Sequence, residues 1–242
     1  MNIGMQGGKK DGVDDNAPEN RYQQLLGGYL SYKPGRLSAE ASYYHQMGHN
    51  EDNMKIDAWM ASFKASYQWP MANAQWTVFG GYDYLSGDKY FAVPPSGGLG
   101  TMLNLVRHDV IRGFNPLYGS HHKFYGMMDF FYVQTYLNGF TPGLQNLYAG
   151  VGYSPLKGLK LKATYHYMAM TTTLSGIDKT LGHDIDLEVS YQIMKDVRFS
   201  AGFSYMAGTE SMQRLQRADE NNRLRWGWFS LIVSPKIFTT KW

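Results

Sequence analysis

Two histidines and a carboxylate lie close together at His121, His122 and Asp129, and such a set can hold a metal ion or pass protons as general acid and base. No His pair at i, i+4 and no nucleophile motif accompanies them, so they read as the structural anchor of a loop. Asp11, Asp14, Asp15 and Glu19 offer oxygen ligands for a divalent cation, but the same residues suit a solvated loop better. The run 95–100, Pro-Ser-Gly-Gly-Leu-Gly, has the glycines of a phosphate loop without its Lys or its strand-to-helix context, and reads as a loop tip. Cysteine is absent, which removes thiolate metal sites and disulfides. No catalytic residue, metal or cofactor is assigned.

Charged side chains at every second position carry more content. In 158–169, Leu159, Leu161, Ala163, Tyr165 and Tyr167 fall on one face of an extended strand, and Lys160, Lys162, Thr164 and His166 on the other. The next segment opposes Ile185, Leu187, Val189 and Tyr191 to Asp184, Asp186, Glu188 and Ser190, and a third opposes Phe199, Ala201, Phe203 and Tyr205 to Arg198, Ser200, Gly202 and Ser204. Extending the pattern gives a polar wall of Lys64, Lys160, Lys162, His166, Arg198, Arg223 and Arg225 with Glu40, Asp83, Asp186 and Glu188. Lys33, Arg36 and Asp184 join it at the ends. Such a wall can be held by cross-strand pairs, Lys160 and Lys162 meeting Asp186 and Glu188, and can also conduct ions. With those lysines compensated, Arg198, Arg223 and Arg225 form the less compensated patch, and the modest basic excess predicts anion preference.

Alternating faces suit either a soluble half-buried sheet or a membrane barrel. Aromatics make up 15% of the 242 residues, with 19 Tyr, a residue suited to the boundary between lipid and water. No apolar run of about 18 residues exists, so a membrane would be crossed by strands. A net charge of +3 gives no case for nucleic acid. The opening 20 residues lack the apolar core of a secretory signal, which reads as either a cytoplasmic protein or a mature or truncated piece, and 2–8, like the end of a strand, favours truncation.

Tight turns at 32–36, 69–73, 153–158 and 191–196 recur about 38 residues apart within each pair and about 85 across the middle, a hairpin repeat. Longer polar stretches at 48–53, 171–182 and 208–222 alternate with them. This layout predicts an all-β fold: an antiparallel transmembrane β-barrel, or the C-terminal part of one, with short periplasmic turns and long extracellular loops. Strands are expected at 22–33, 36–47, 54–69, 74–86, 144–154, 158–169, 185–193, 198–207 and from Arg223 onward, where alternation slips in RWGWFSLIVS as at a bulge. Residues 1–242 form a single barrel domain. Parity leaves 87–143 with an even number of spanning strands, and the run 124–133 is apolar on both faces. Residues 87–143 therefore read as a long extracellular or lumen-folded loop.

YDYLSGD at 82–88, FNPLYGSHHKFYGMMDFF at 114–131, LYAGVGYSPLKGLKLKATYHY at 147–167 and LIVSPKIF near the end resemble the C-terminal half of the alginate export family of outer-membrane porins, especially its Bacteroidetes-type forms. The most specific part runs from His122 to Asp129 and holds Lys123, Tyr125 and Gly126. The terminal Trp242 resembles the signal read by the barrel assembly machinery. Members form one barrel of about 16 to 18 strands, whereas about nine are legible here. The resemblance implies passive passage of a polar or anionic solute, with an acidic polysaccharide or oligosaccharide as the class it suggests, across the outer membrane of a Gram-negative bacterium. The alternatives are an outer-membrane barrel enzyme of protease or lipase type and a soluble β-barrel binding protein.

Overall fold

A strand between lipid and water must pair on both sides, because lipid offers no hydrogen bonds to an unpaired N–H or C=O. The computed structural model describes residues 2–7, 19–50, 53–71, 73–88, 110–116, 122–129, 131, 141–174, 177–216 and 223–235. Strands β1 (Asn2–Gly7), β2 (Glu19–Tyr32), β3 (Leu37–His49), β4 (Lys55–Met71), β5 (Ala74–Leu85), β7 (Leu144–Ser154), β8 (Leu159–Ala169), β9 (Thr180–Met194), β10 (Val197–Gly208) and β11 (Arg223–Val233) follow one another, each antiparallel to the next, in one sheet. The two-residue β6 (Val110–Ile111) runs parallel to the start of β4. Among the described residues two short helices, α1 (His122–Tyr125) and α2 (Glu210–Gln216), lie in the connections at the long-loop end. No described helix is long and apolar enough to cross a membrane. Among the described residues β1 and β11 each pair on one side only.

The tight turns form where turn chemistry is present. Gly35 takes φ +59 between β2 and β3, and Asp196 takes φ +68 between β9 and β10, a conformation that Asp tolerates better than most residues. β5 pairs directly with β7 from Leu85↔Leu144 to Gln75↔Ser154, so no spanning strand separates them.

Register assigns the faces. Phe63, Leu147, Leu187 and Phe203 stand exposed on the outward face, while their sequence neighbours turn to the other side. Expected strands and observed strands agree closely except at β11. Its pairing with β10 runs without a shift from Val197↔Val233 to Ala207↔Arg223, so there is no bulge. Trp226 and Trp228 therefore face the lumen beside Ser204 and Gly202, and Phe229, at 82% exposure, faces out. This corrects the expected placement of Arg223 and Arg225: opposite Ala207 and Tyr205, they stand on the outward face. The indole of Trp228 occupies the space over Gly202, where a Cβ would lie 2.5 Å from its Nε1.

The outward assignment predicts a sharp asymmetry within β10. Phe203→Lys, near mid-strand on the lipid side, should destabilise the folded barrel by about 2–4 kcal/mol. Ser200→Lys on the lumen side should cost less than half as much, and denaturant titration in lipid bilayers would reveal equal costs if the faces were wrong.

Candidate functional site

The lumen is built in three layers. At the long-loop end the inward side chains of β4, β5, β7, β8 and β10 are Met60, Leu85, Leu144, Met168 and Met206, which is apolar where a polar wall was expected. The reason is what covers them. Phe114, Phe124, Tyr125 and Phe131 of the 87–143 segment, Met170, Leu174 and Ile177 between β8 and β9, and Met212 and Leu215 of α2 complete one buried cluster with them. Each large side chain so buried contributes on the order of 1.5–3 kcal/mol.

Beneath this cap lies a polar layer. Asp83 accepts a hydrogen bond from the Ser62 hydroxyl at 2.5 Å. The Asn146 amide donates to the carbonyl of Phe124 at 3.1 Å, and its oxygen lies 3.0 Å from Nδ1 of His166. His166 Nε2 sits 3.4 Å from the Asp186 carboxylate, which also accepts from the Ser204 hydroxyl and from the backbone N–H of Met127 at 3.0 Å. The wall thus holds the inward segment at two backbone positions, one on each side of Gly126. That glycine has φ +71, and a Cβ there would lie 2.6 Å from Asp184 Oδ2. Only glycine meets both the left-handed backbone and the close approach at low cost.

Toward the short turns a cavity of about 240 Å³ opens, lined by Glu40, Lys64, Phe79, Lys123, Tyr148, Lys162, His166, Asp186 and Glu188 among others. Lys162 donates to Glu188 at 2.6 Å, and Lys33 approaches Glu40 at 3.5 Å. Lys64 lies 5.4 Å from the centre of the Phe79 ring, and Lys123 lies 5.1 Å from that of Phe124. Neither is in an ion pair among the described residues.

The expected wall residues divide as follows. Glu40, Lys64, Lys162, His166, Asp186 and Glu188 share the cavity, with Asp83 buried beside it. Of the expected cross-strand pairs, Lys162 with Glu188 forms. Asp186 instead serves His166, Ser204 and Met127, and Lys160 stands opposite Ser190 at the exposed short-turn end. Arg198 lies at that end too, opposite Gln192. Arg223 and Arg225 are outside the lumen. In the loop motif His122 opens α1, Tyr125 is buried, and Asp129 takes φ +53. His121, the 95–100 run, Asp11, Asp14, Asp15 and Trp242 lie outside the described residues. Among the described residues no three His, Asp or Glu converge on a possible metal position. Sequence reasoning put Ser204 on the polar face of its strand without giving it a role, and missed Asn146, Tyr148 and Phe79; a lone Asn at an inward position of an apolar strand end was the available signal.

A family described as "Alginate export" matches residues 14–182, well over half of the chain. The curated proteins contain no match to it. Among solved structures the chain is similar to OmpT, an outer membrane protein of Vibrio cholerae, at 14% identity and TM-score 0.43, covering 87% of this chain and 56% of that one. It is similar to the NanC porin at 8% identity and TM-score 0.43, covering 97% and 92%. The chain therefore spans little more than half the length of OmpT.

The seat of Gly126 gives a direct test. Gly126→Ala adds a strained backbone of about 1 kcal/mol and a contact with Asp184 that must be relieved, so the inward segment should leave the wall more often. Limited proteolysis of the protein in bilayers should then cut within 87–143 several times faster than in the unmodified chain, and an unchanged rate would show that the seat is not at Gly126.

Proposed function

The chain belongs to the alginate export family, and from that membership we propose that it lines an outer-membrane channel for passive passage of a polar, anionic solute, an acidic oligosaccharide or polysaccharide. The observation that supports an anionic solute most directly is the position of Lys64 and Lys123. Both border the cavity, and both lie over aromatic rings rather than against carboxylates. Lys162 is neutralised by Glu188 and contributes less. An ammonium over a ring keeps a free side for an incoming carboxylate, and in a low-dielectric wall its field reaches well into the passage. Phe79 and Tyr148 add flat apolar surface on which a sugar ring can rest.

No covalent step is required of these residues. In this reading residues 87–143 form a lumen-folded loop that narrows the passage at the long-loop end, and 1–242 form one barrel domain. The barrel assembly machinery inserts the chain, and strand partners for β1 and β11 complete the hydrogen bonding that lipid cannot supply.

Selectivity separates the two sets of basic residues. Lys64→Gln with Lys123→Gln should shift the reversal potential under a salt gradient toward cations, more strongly at low salt. Arg225→Gln, on the outward face, should leave it unchanged. Cation preference in the unmodified pore, measured across a planar bilayer, would remove the case for an anionic solute.

A further inference from the structure

Charged groups on the lipid face of a barrel are tolerated near the interfaces and disfavoured at mid-depth. Arg223 and Arg225 are exposed on that face, two residues apart on one strand, so their side chains leave β11 on the same side about 7 Å apart. Their depth follows from the strand. At about 3.3 Å per residue Arg225 and Arg223 lie roughly 26 and 33 Å along β11 from Val233 at the short-turn end. With a tilt of about 40° the heights become roughly 20 and 25 Å, against an apolar band about 25 Å tall. Arg223 thus reaches the margin of the band on the long-loop side, and Arg225 reaches it with its long side chain.

Among the described residues the surroundings on their rows are aromatic and carry no acid. The guanidinium of Arg225 lies 5.9 Å from the centre of the Tyr205 ring. Along the two rows the outward neighbours are Ala207, His183 and Tyr167, then Tyr205, Ile185 and Tyr165. On the β3–β4 side of the same end, by contrast, the outward His45 and the nearby Arg112 are both answered by Asp57, at 3.0 and 3.1 Å. Two guanidinium forks at the height of the headgroups, with no described carboxylate on their rows, match the geometry and charge of phosphate oxygens.

We propose that Arg223 and Arg225 form an outward-facing site for the phosphate of a phosphorylated lipid headgroup in the outer leaflet. The site rests on the outer-membrane placement of the barrel and is independent of what the lumen conducts. Stacking on Tyr205 orients the Arg225 fork, and the tyrosines of β8 and β10 offer the acyl chains of that lipid a ring-lined surface.

Native mass spectrometry of the full chain in detergent tests this with two probes, lipid A carrying its phosphates and the same lipid dephosphorylated. The unmodified protein should retain the phosphorylated lipid. Arg223→Gln with Arg225→Gln should lower the bound fraction about tenfold at equal lipid, while Arg223→Lys with Arg225→Lys, which keeps the charge and loses the forks, should fall between the two. If the double Gln variant fails to fold, Arg223→Gln alone, at the solvated margin, should still show a several-fold loss. Retention of lipid A by a folded Gln variant, or equal retention of the dephosphorylated lipid by the unmodified protein, overturns the site.

Discussion

Antiparallel register, shifted at Val197/Arg198 and Met168/Ala169 near strand ends, ties the inside of this sheet to its outside. One inward row runs Glu40↔Lys64, Lys64↔Gly81, Gly81↔Tyr148, Tyr148↔His166, His166↔Asp184, Asp184↔Met206 and Met206↔Leu224 across eight strands. Because the strands are staggered, the same row starts near the short turns at Glu40 and ends in the apolar cap at Met206 and Leu224. A slip of one residue anywhere would turn every later side chain on that strand to the other face. The polar layer also uses the register diagonally. His166 sits directly opposite Asp184 but bonds Asn146 and Asp186, each displaced by two residues, within reach of an imidazole across a strand.

Space inside the wall is shared between glycines and rings. A Cβ on Gly81 would lie 2.4 Å from the Tyr148 hydroxyl, and one on Gly150 would lie 2.3 Å from Cζ of Phe79. The two rings lie flat over strand positions that carry no side chain of their own. That leaves the centre of the lumen clear for the backbone at Gly126 and Met127, and sets Phe79 beneath both Lys64 and Lys162. The glycines of β5 and β7 thus bring the aromatic and cationic groups of the cavity to one level.

Strands of β3 to β5 and β7 to β10 were legible because alternation with period two is a local signal, and the tight turns marked their ends. The Lys162 and Glu188 pair was legible because both stand on the alternating polar faces of strands that follow one another in the chain and pair antiparallel. The apolar cap was not. Met60, Leu85, Met168 and Met206 are scattered over four strands whose inward faces also carry polar and charged side chains, and only the sheet gathers them under Phe124 and Tyr125. The faces of β11 were misread because Trp226 and Trp228 in the lumen look like lipid-facing residues. Their large rings are accommodated inside by Gly202 and by the neighbouring strand's small side chains, information that lies outside the strand itself.

The seat of the inward segment balances two opposed terms. Its aromatic side chains gain from burial under the cap, which holds the segment in. Its backbone, however, closes over Asp83, Asp184 and Asp186, each at most 2% exposed, and removing a carboxylate from water is costly unless its oxygens are satisfied. Asp186 is satisfied, by Ser204, His166 and Met127. Oδ2 of Asp83 and Oδ1 of Asp184 have no hydrogen-bond partner among the described residues, although Lys123, His166 and Lys64 act on the Asp83 carboxylate through space. The same Lys123 that faces the cavity as a cation therefore also offsets a buried acid of the wall. Lifting the segment would expose apolar rings but would rehydrate those two oxygens, so the two positions of the segment differ by less than its buried area alone suggests.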